Sequence, residues 1–385
     1  MPGTAPWIGP WRCSRNGSSG IDRDMSFHTL FLRISDRDDH APGIMLLRAL
    51  LRMPAWLFGF IVRWRGWMYE AGLLKAERLP VPVISVGGLT IGGAGKTPVV
   101  RYLAGLLMDM GHRPVILSRG YGRTDRRIIS VSLEENWQNV GDEPFYLATM
   151  LPDVPIVVGA DRVSAGRHAI AEFQPDVLLL DDGFQHRRLQ RDLDIVVYDS
   201  TGYARNLPLI PAGPSREPLT ALQRAQGLIL TRTDQVNAPT DVSQDIRSVN
   251  PNIQIIESIY EPVRLRRISD NTILSVDDIK KQPVLILCGI ANPDSFGRTV
   301  SDLGAHVAFT LYFPDHHTYS IKDMDEVVQS ARQAGTEWII TTEKDAVRIP
   351  DHLIQTHLLA LDISLSIPTG EEILKNLILS LDIPK

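Results

Sequence analysis

The chain has 385 residues, 44% of them hydrophobic and 22% charged, with a formal net charge of -5. This balance suits a folded protein large enough for two domains and lacks the basic excess of a nucleic-acid binder. Its two cysteines, Cys13 and Cys288, are too few for a disulfide framework or a zinc cluster and fit a reducing compartment.

Residues 1–43 are rich in Gly, Ser, Arg and Asp and lack the continuous apolar centre of a secretory signal. With Met25 and Met45 as alternative starts, this stretch reads as a disordered extension or a mis-set start, outside the fold. Residues 44–80 differ in kind. Leu46, Leu50, Leu57, Phe60 and Ile61 make an apolar surface, interspersed with Arg48, Arg52, Arg63 and Arg65 and with the amphipathic rings of Trp56, Trp64, Trp67 and Tyr69. No uninterrupted run reaches the roughly 18 apolar residues of a spanning helix. The pattern predicts an amphipathic helix, suited to a bilayer interface or to packing on the protein's own core.

From residue 81 to about 250, short Val/Ile/Leu runs alternate with helical patterns. Strands are expected at Val83–Val86, Pro114–Ser118, Ile156–Val158, Val177–Leu180, Ile195–Tyr198 and Gly227–Leu230, with a helix near Arg162–Glu172. Such continuous apolar runs belong to a mainly parallel α/β sheet with helices on both faces. Residues 251–385 read as a second, smaller α/β unit, with strands at Gln254–Glu257, Val284–Cys288, Val307–Leu311 and Trp338–Thr341.

The most informative segment is the strand running into Thr90-Ile91-Gly92-Gly93-Ala94-Gly95-Lys96-Thr97. A glycine-rich loop opening a helix lets backbone N–H groups close on phosphates, as in P-loop NTPases. Lys96 would reach the β- and γ-phosphates, and the Thr97 hydroxyl would ligate Mg²⁺. Thr90 stands where the general pattern has its first glycine. Leu178-Leu179-Leu180-Asp181-Asp182-Gly183 is a buried strand ending in two carboxylates, one of which would serve the metal; alternation along a strand does not say which.

Further groups are suited to charge or proton work. His186, in Phe184-Gln185-His186-Arg187-Arg188, lies beside the metal carboxylates and could meet phosphoryl charge. Gly141-Asp142-Glu143-Pro144 could supply a base, although it is also a good helix start. His316 sits in Pro314-Asp315-His316-His317, a turn after a strand. Arg119 and Arg123, in Ser118-Arg119-Gly120-Tyr121-Gly122-Arg123, and Arg216, in Pro214-Ser215-Arg216, occupy loops able to recognise an anionic substrate. Thr231-Arg232-Thr233-Asp234 only loosely matches the Asn-Lys-x-Asp guanine reader. Thr342-Glu343-Lys344-Asp345 is explained by a capped helix start.

Taken in order, Val86-Gly87-Gly88-Leu89-Thr90 through Lys96-Thr97-Pro98, Ser118-Arg119-Gly120-Tyr121-Gly122, Gly141-Asp142-Glu143-Pro144, Asp181-Asp182-Gly183-Phe184-Gln185-His186, Leu209-Ile210-Pro211-Ala212-Gly213-Pro214 and Thr342-Glu343-Lys344-Asp345-Ala346-Val347 resemble the tetraacyldisaccharide 4′-kinases. The resemblance runs from about residue 45 to the C-terminus, and Thr90 is typical of it. It implies an ATP- and Mg²⁺-dependent kinase on the cytoplasmic face of the bacterial inner membrane. The acceptor would be the 4′-hydroxyl of an acylated glucosamine disaccharide 1-phosphate, with no obligate protein partner. It further implies Asp142 as base aided by His316, Asp181 and Asp182 for Mg²⁺ and catalysis, and a membrane role for the N-terminal helix.

Overall fold

The computed structural model describes residues 30, 33–35, 40–202, 207–236, 239–354 and 357–383. The expectation for residues 1–43 falls almost entirely outside them.

Helix α1 (Pro42–Glu70) precedes strand β1 (Val83–Gly87), the glycine-rich loop and α2 (Lys96–Asp109). Then come β2 (Pro114–Ser118), β3 (Ile129–Ser130), α3 (Trp137–Val140), α4 (Asp142–Met150), β4 (Ile156–Val158), α5 (Arg162–Phe173), β5 (Val177–Asp181), β6 (Leu193–Asp199) and β7 (Gly227–Thr231). The rest comprises α6 (Pro239–Val249), β8 (Gln254–Arg267), β9 (Ile273–Leu274), β10 (Pro283–Cys288), α7 (Pro293–Asp302), β11 (His306–Tyr312), α8 (Ile321–Gln333), β12 (Trp338–Thr342), α9 (Glu343–Arg348), β13 (Leu358–Thr369) and α10 (Glu371–Leu379).

The strands form one mixed sheet in the order β11-β10-β12-β13-β8-β7-β6-β1-β5-β2-β4-β3, with β9 added to β8. Pairing is parallel except for β3 on β4, β9 on β8 and β13 on β8. The 14-residue β8 joins β7 through Gln254–Glu257 and runs on against β13, so strands from before and after residue 250 share one sheet. Neither β13 nor the length of β8 was expected from sequence. Asp362, Ser364 and Ser366 interrupt the apolar run of β13, and both strands carry exposed residues where they leave the core.

Strands β1, β5 and β2 are buried at every position, with β1 paired to both β5 and β6. Helix α2 covers them with Val99, Val100, Leu103 and Leu107, none measurably exposed. Each such side chain contributes about 1.5–3 kcal/mol of burial energy, which fixes the strand ends that carry the site.

Helix α1 packs through Ile44, Ala55 and Gly59. A Cβ at Gly59 would lie 2.6 Å from Leu209 Cδ1, so glycine permits this close approach. Arg65 donates to the Gln185 carbonyl at 3.1 Å, and Arg187 pairs with Glu70 at 3.2 Å. Opposite, Leu46, Leu50, Met53, Leu57, Phe60, Trp64 and Trp67 form a stripe three or four residues apart, each at least half exposed. Over its best 18 residues the helix has mean hydropathy 1.6, long and apolar enough by composition to cross a membrane. Its scattered arginines break every apolar run yet lower that average little.

Candidate active site

The parallel strands β1 and β5 deliver the glycine-rich loop and the Asp pair to the same edge of the sheet. Gly95 caps α2 with φ 85°, a left-handed conformation suited to glycine. A Cβ there would also collide with the Tyr260 hydroxyl. Lys96 and Thr97 follow as the first helical residues, where backbone N–H groups lack helical partners and the helix dipole favours anions. From behind, Thr231 Oγ1 donates to the Ala94 carbonyl at 3.0 Å and Arg232 donates to the Gly93 carbonyl at 3.1 Å. Arg232 is itself paired with Asp199 at 2.6 Å, while Asp234 is exposed. The Thr231-Arg232 segment thus braces the phosphate loop.

Asp181 and Asp182 have different surroundings. Asp181 Oδ2 accepts from Ser118 Oγ at 3.1 Å. Burial, with the charges of Glu143 and Asp182, pushes its carboxyl up to about 7 against the opposing pull of Lys96. Asp182, at φ 52°, accepts from Arg216 at 2.6 Å and lies 3.4 Å from the Lys96 ammonium. Burial opposes its charge, but Lys96 and Arg216 outweigh that and hold it below the usual carboxylate range. Oδ1 of each Asp is buried without a hydrogen-bond partner. The unmet Asp181 Oδ1 suits a hard cation, whereas Asp182 Oδ1 already faces the Lys96 ammonium at 3.4 Å. Among the described residues no three His, Cys, Asp or Glu side chains converge on a metal position, so Thr97, phosphate oxygens and water would complete the ligand set.

Gly141, at φ 101°, lets α4 begin against the loop at Gly120, where a Cβ would come within 3.1 Å of the Gly120 Cα. Asp142 is thereby buried, with Oδ1 accepting the Glu143 N–H at 2.9 Å. Its Oδ2 lies 2.8 Å from His316 Nδ1 and 3.8 Å from Arg348 Nε. Burial works against the Asp142 charge, but the His316 hydrogen bond and the positive Lys344 and Arg348 prevail and hold the carboxyl down at about 2. An ionised carboxylate only accepts, so Nδ1 of His316 carries the proton. The Tyr121 ring, 5.4 Å from the His316 ring, packs beside the pair.

The other cationic groups are spread around these carboxylates. Arg119 is exposed on its loop. Arg123 donates to the carbonyls of Arg127 at 2.7 Å and Arg126 at 3.3 Å, capping its own loop. Arg216 is committed to Asp182. Burial and the nearby Arg162 charge push His186 down to about 4, and its Nε2 is buried without a hydrogen-bond partner. Sequence reading missed Arg162, buried at the start of α5, where burial lowers it to about 10 against the attraction of Asp181. It also missed Lys344 and Arg348 beside Asp142. Their signal was a run of charges directly after the apolar β12.

The family model described as Tetraacyldisaccharide-1-P 4'-kinase matches residues 47–381. The tetraacyldisaccharide 4'-kinase of Anaeromyxobacter sp. (strain Fw109-5) is 39% identical over 341 residues, covering 86% of this chain and 91% of the relative. That of Geobacter sulfurreducens is 35% identical over 338 residues, covering 86% and 92%. The structure is similar to LpxK from Aquifex aeolicus in complex with ATP, with TM-score 0.69 and 34% identity over 86% of this chain and 98% of that one.

Proposed function

The chain belongs to the tetraacyldisaccharide 4′-kinase family, and on that premise we propose that it transfers the γ-phosphoryl group of ATP to the 4′-hydroxyl of an acylated glucosamine disaccharide 1-phosphate. The product is the 4′-phosphorylated lipid A precursor. The observation that carries this reading is the Asp142–His316 pair, whose neighbour Glu143 acts on Asp181, next to the Asp182 on which the loop lysine is anchored. Residues 81–250 provide the nucleotide side of the site, and residues 251–385 bring His316 to it.

The loop from Thr90 to Gly95 surrounds the phosphates with backbone N–H groups, and Lys96 meets the β/γ oxygens. Thr97 with Asp181 or Asp182 would hold Mg²⁺, which would supply positive charge against the phosphates. Asp182 is already balanced by Lys96 and Arg216, which leaves Asp181 Oδ1 with the greater unmet demand for a cation. Asp142 Oδ2 takes the proton of the attacking hydroxyl, while His316 Nδ1–H fixes the carboxylate's orientation. A base held near 2 is weak, but a loose phosphoryl-transfer transition state needs positioning more than base strength. Arg119, Arg123, His186 and Arg216 supply positive or dipolar groups for the anionic acceptor, with Arg123 acting by shaping its loop.

Helix α1 lies along the membrane rather than across it. Its inner face is tied to the body through Gly59, Arg65 and Glu70, and only the outer stripe is free to enter lipid. Because ATP is the donor, the cytoplasmic face of the inner membrane is the side on which both substrates meet.

The test is transfer of labelled γ-phosphate from ATP to a tetraacyldisaccharide 1-phosphate in detergent, with Lys96→Ala as control. Label on the lipid, lost in the variant, is expected. Folded protein that hydrolyses ATP yet leaves the lipid unlabelled would overturn the acceptor.

A further inference from the structure

We infer that Lys344 is a positioning residue that keeps Asp142 and His316 in register, because its single ammonium binds the carboxylate adjoining each of them. The inference rests on the reading of Asp142 as base. Lys344 Nζ lies 2.9 Å from Glu143 Oε1 and 3.7 Å from Asp315 Oδ1. Glu143 directly follows Asp142, and Asp315 directly precedes His316. The pair itself joins positions 174 residues apart in the chain, so nothing local holds its two halves together.

The Asp315 oxygen that faces Lys344 also accepts the His316 backbone N–H at 3.0 Å. His316 has φ 61°, unfavourable for a residue with a Cβ and sustained only where surrounding contacts over-determine it. Lys344 therefore acts on the backbone that aims the imidazole as well as on the start of α4.

The support for Lys344 is itself rigid. The next residue, Asp345, is fully buried and accepts from the Gly289 N–H at 3.1 Å, the Tyr319 hydroxyl at 2.7 Å and the Arg348 guanidinium at 2.6 Å. The preceding residue, Glu343, accepts from the Tyr146 hydroxyl on α4 at 3.1 Å and from Arg101 on α2 at 3.4 Å. A helix cap explains Thr342 and Asp345, whose N–H donates to the Thr342 hydroxyl at 3.0 Å. It does not explain an ammonium turned toward two carboxylates from distant segments. Removing that charge leaves Glu143 and Asp315 repelling each other across the joint, which separates α4 from the 315–316 turn.

The experiment compares Lys344→Met, Lys344→Arg and Asp315→Asn with Asp142→Asn in the full-length protein, measuring kcat, KM for ATP and Tm. A misalignment of this kind is expected to lower kcat of Lys344→Met about tenfold to a hundredfold. KM for ATP should stay within about twofold, because Lys96 and Thr97 are untouched. Lys344→Arg should recover most of the rate, and Asp315→Asn should lose rate in the same direction by less. Lys344→Met within about threefold of wild type, beside an inactive Asp142→Asn, would overturn the role of Lys344 alone. Full activity of Asp142→Asn would overturn the base and this inference together. Should Lys344→Met not fold, Asp315→Asn and Lys344→Arg decide: wild-type kcat in the first, or no recovery in the folded second, overturns the role.

Discussion

His316 Nδ1 lies 2.8 Å from Asp142 Oδ2, joining the first residue of α4 to a turn 174 positions later in the chain. Neither partner has an alternative of comparable quality. The other Asp142 oxygen is occupied by the Glu143 N–H, and the Asp315 carboxylate is 3.7 Å from the far side of the imidazole. A carboxylate oriented by an imidazole N–H is a compact way to hold one lone pair toward an incoming hydroxyl.

That relationship predicts strongly non-additive mutations. Asp142→Asn should lower kcat by about 10²–10⁴, the usual range for a general base, and His316→Gln should lower it by less. The double variant should be no worse than Asp142→Asn alone, because His316 acts only through the carboxylate. Single-turnover transfer of labelled phosphate measures this directly. Losses that multiply would mean that His316 contacts the reacting groups independently.

Asp181 predicts a pH-dependent trade between stability and function. Its carboxyl lies at about 7 in the fold, above the ordinary 3.8, so it favours the fold while protonated. That contribution is complete below about pH 4 and is lost as pH rises through about 7. Asp181→Asn removes the charge, so in metal-free protein it should raise Tm by roughly 2–4 °C at pH 8. At pH 4 the same substitution should leave Tm nearly unchanged, and at both values phosphate transfer should be lost. Thermal melts at the two pH values decide, and an equal shift at both would disprove the assignment.

The outer stripe of α1 should govern attachment to lipid without governing chemistry. Trp56 and Phe60 stack with centroids 6.2 Å apart, and Trp64 follows 6.1 Å from Phe60, so an aromatic ladder runs along the exposed side. Replacing all three with alanine should weaken binding to anionic phospholipid vesicles at least about tenfold, given about 1.5–3 kcal/mol for each large apolar side chain buried. Transfer to acceptor in detergent micelles should persist. Undiminished co-sedimentation with vesicles would show that lipid contacts another surface.

The phosphate loop, the central strands and the paired aspartates were legible because each is a local pattern. Glycines, one lysine and one threonine at fixed spacing follow a β-branched run, and Leu178-Leu179-Leu180 leads straight into the carboxylates. The family resemblance followed from the same collinear motifs. What the amino-acid order did not disclose depends on partners far along the chain. β13 is held by antiparallel pairing with β8, although its own composition is broken by Asp362 and serines. Lys344 read as an ordinary member of a capped helix and Arg348 carried no signal of its own; only packing against Glu143, Asp315 and Asp142 reveals their surroundings. Propensity and spacing act over a few residues and so write the phosphate loop into the sequence. The state of each buried charge is set by whichever groups the tertiary fold brings within a few ångströms, and that was decided only by the folded chain.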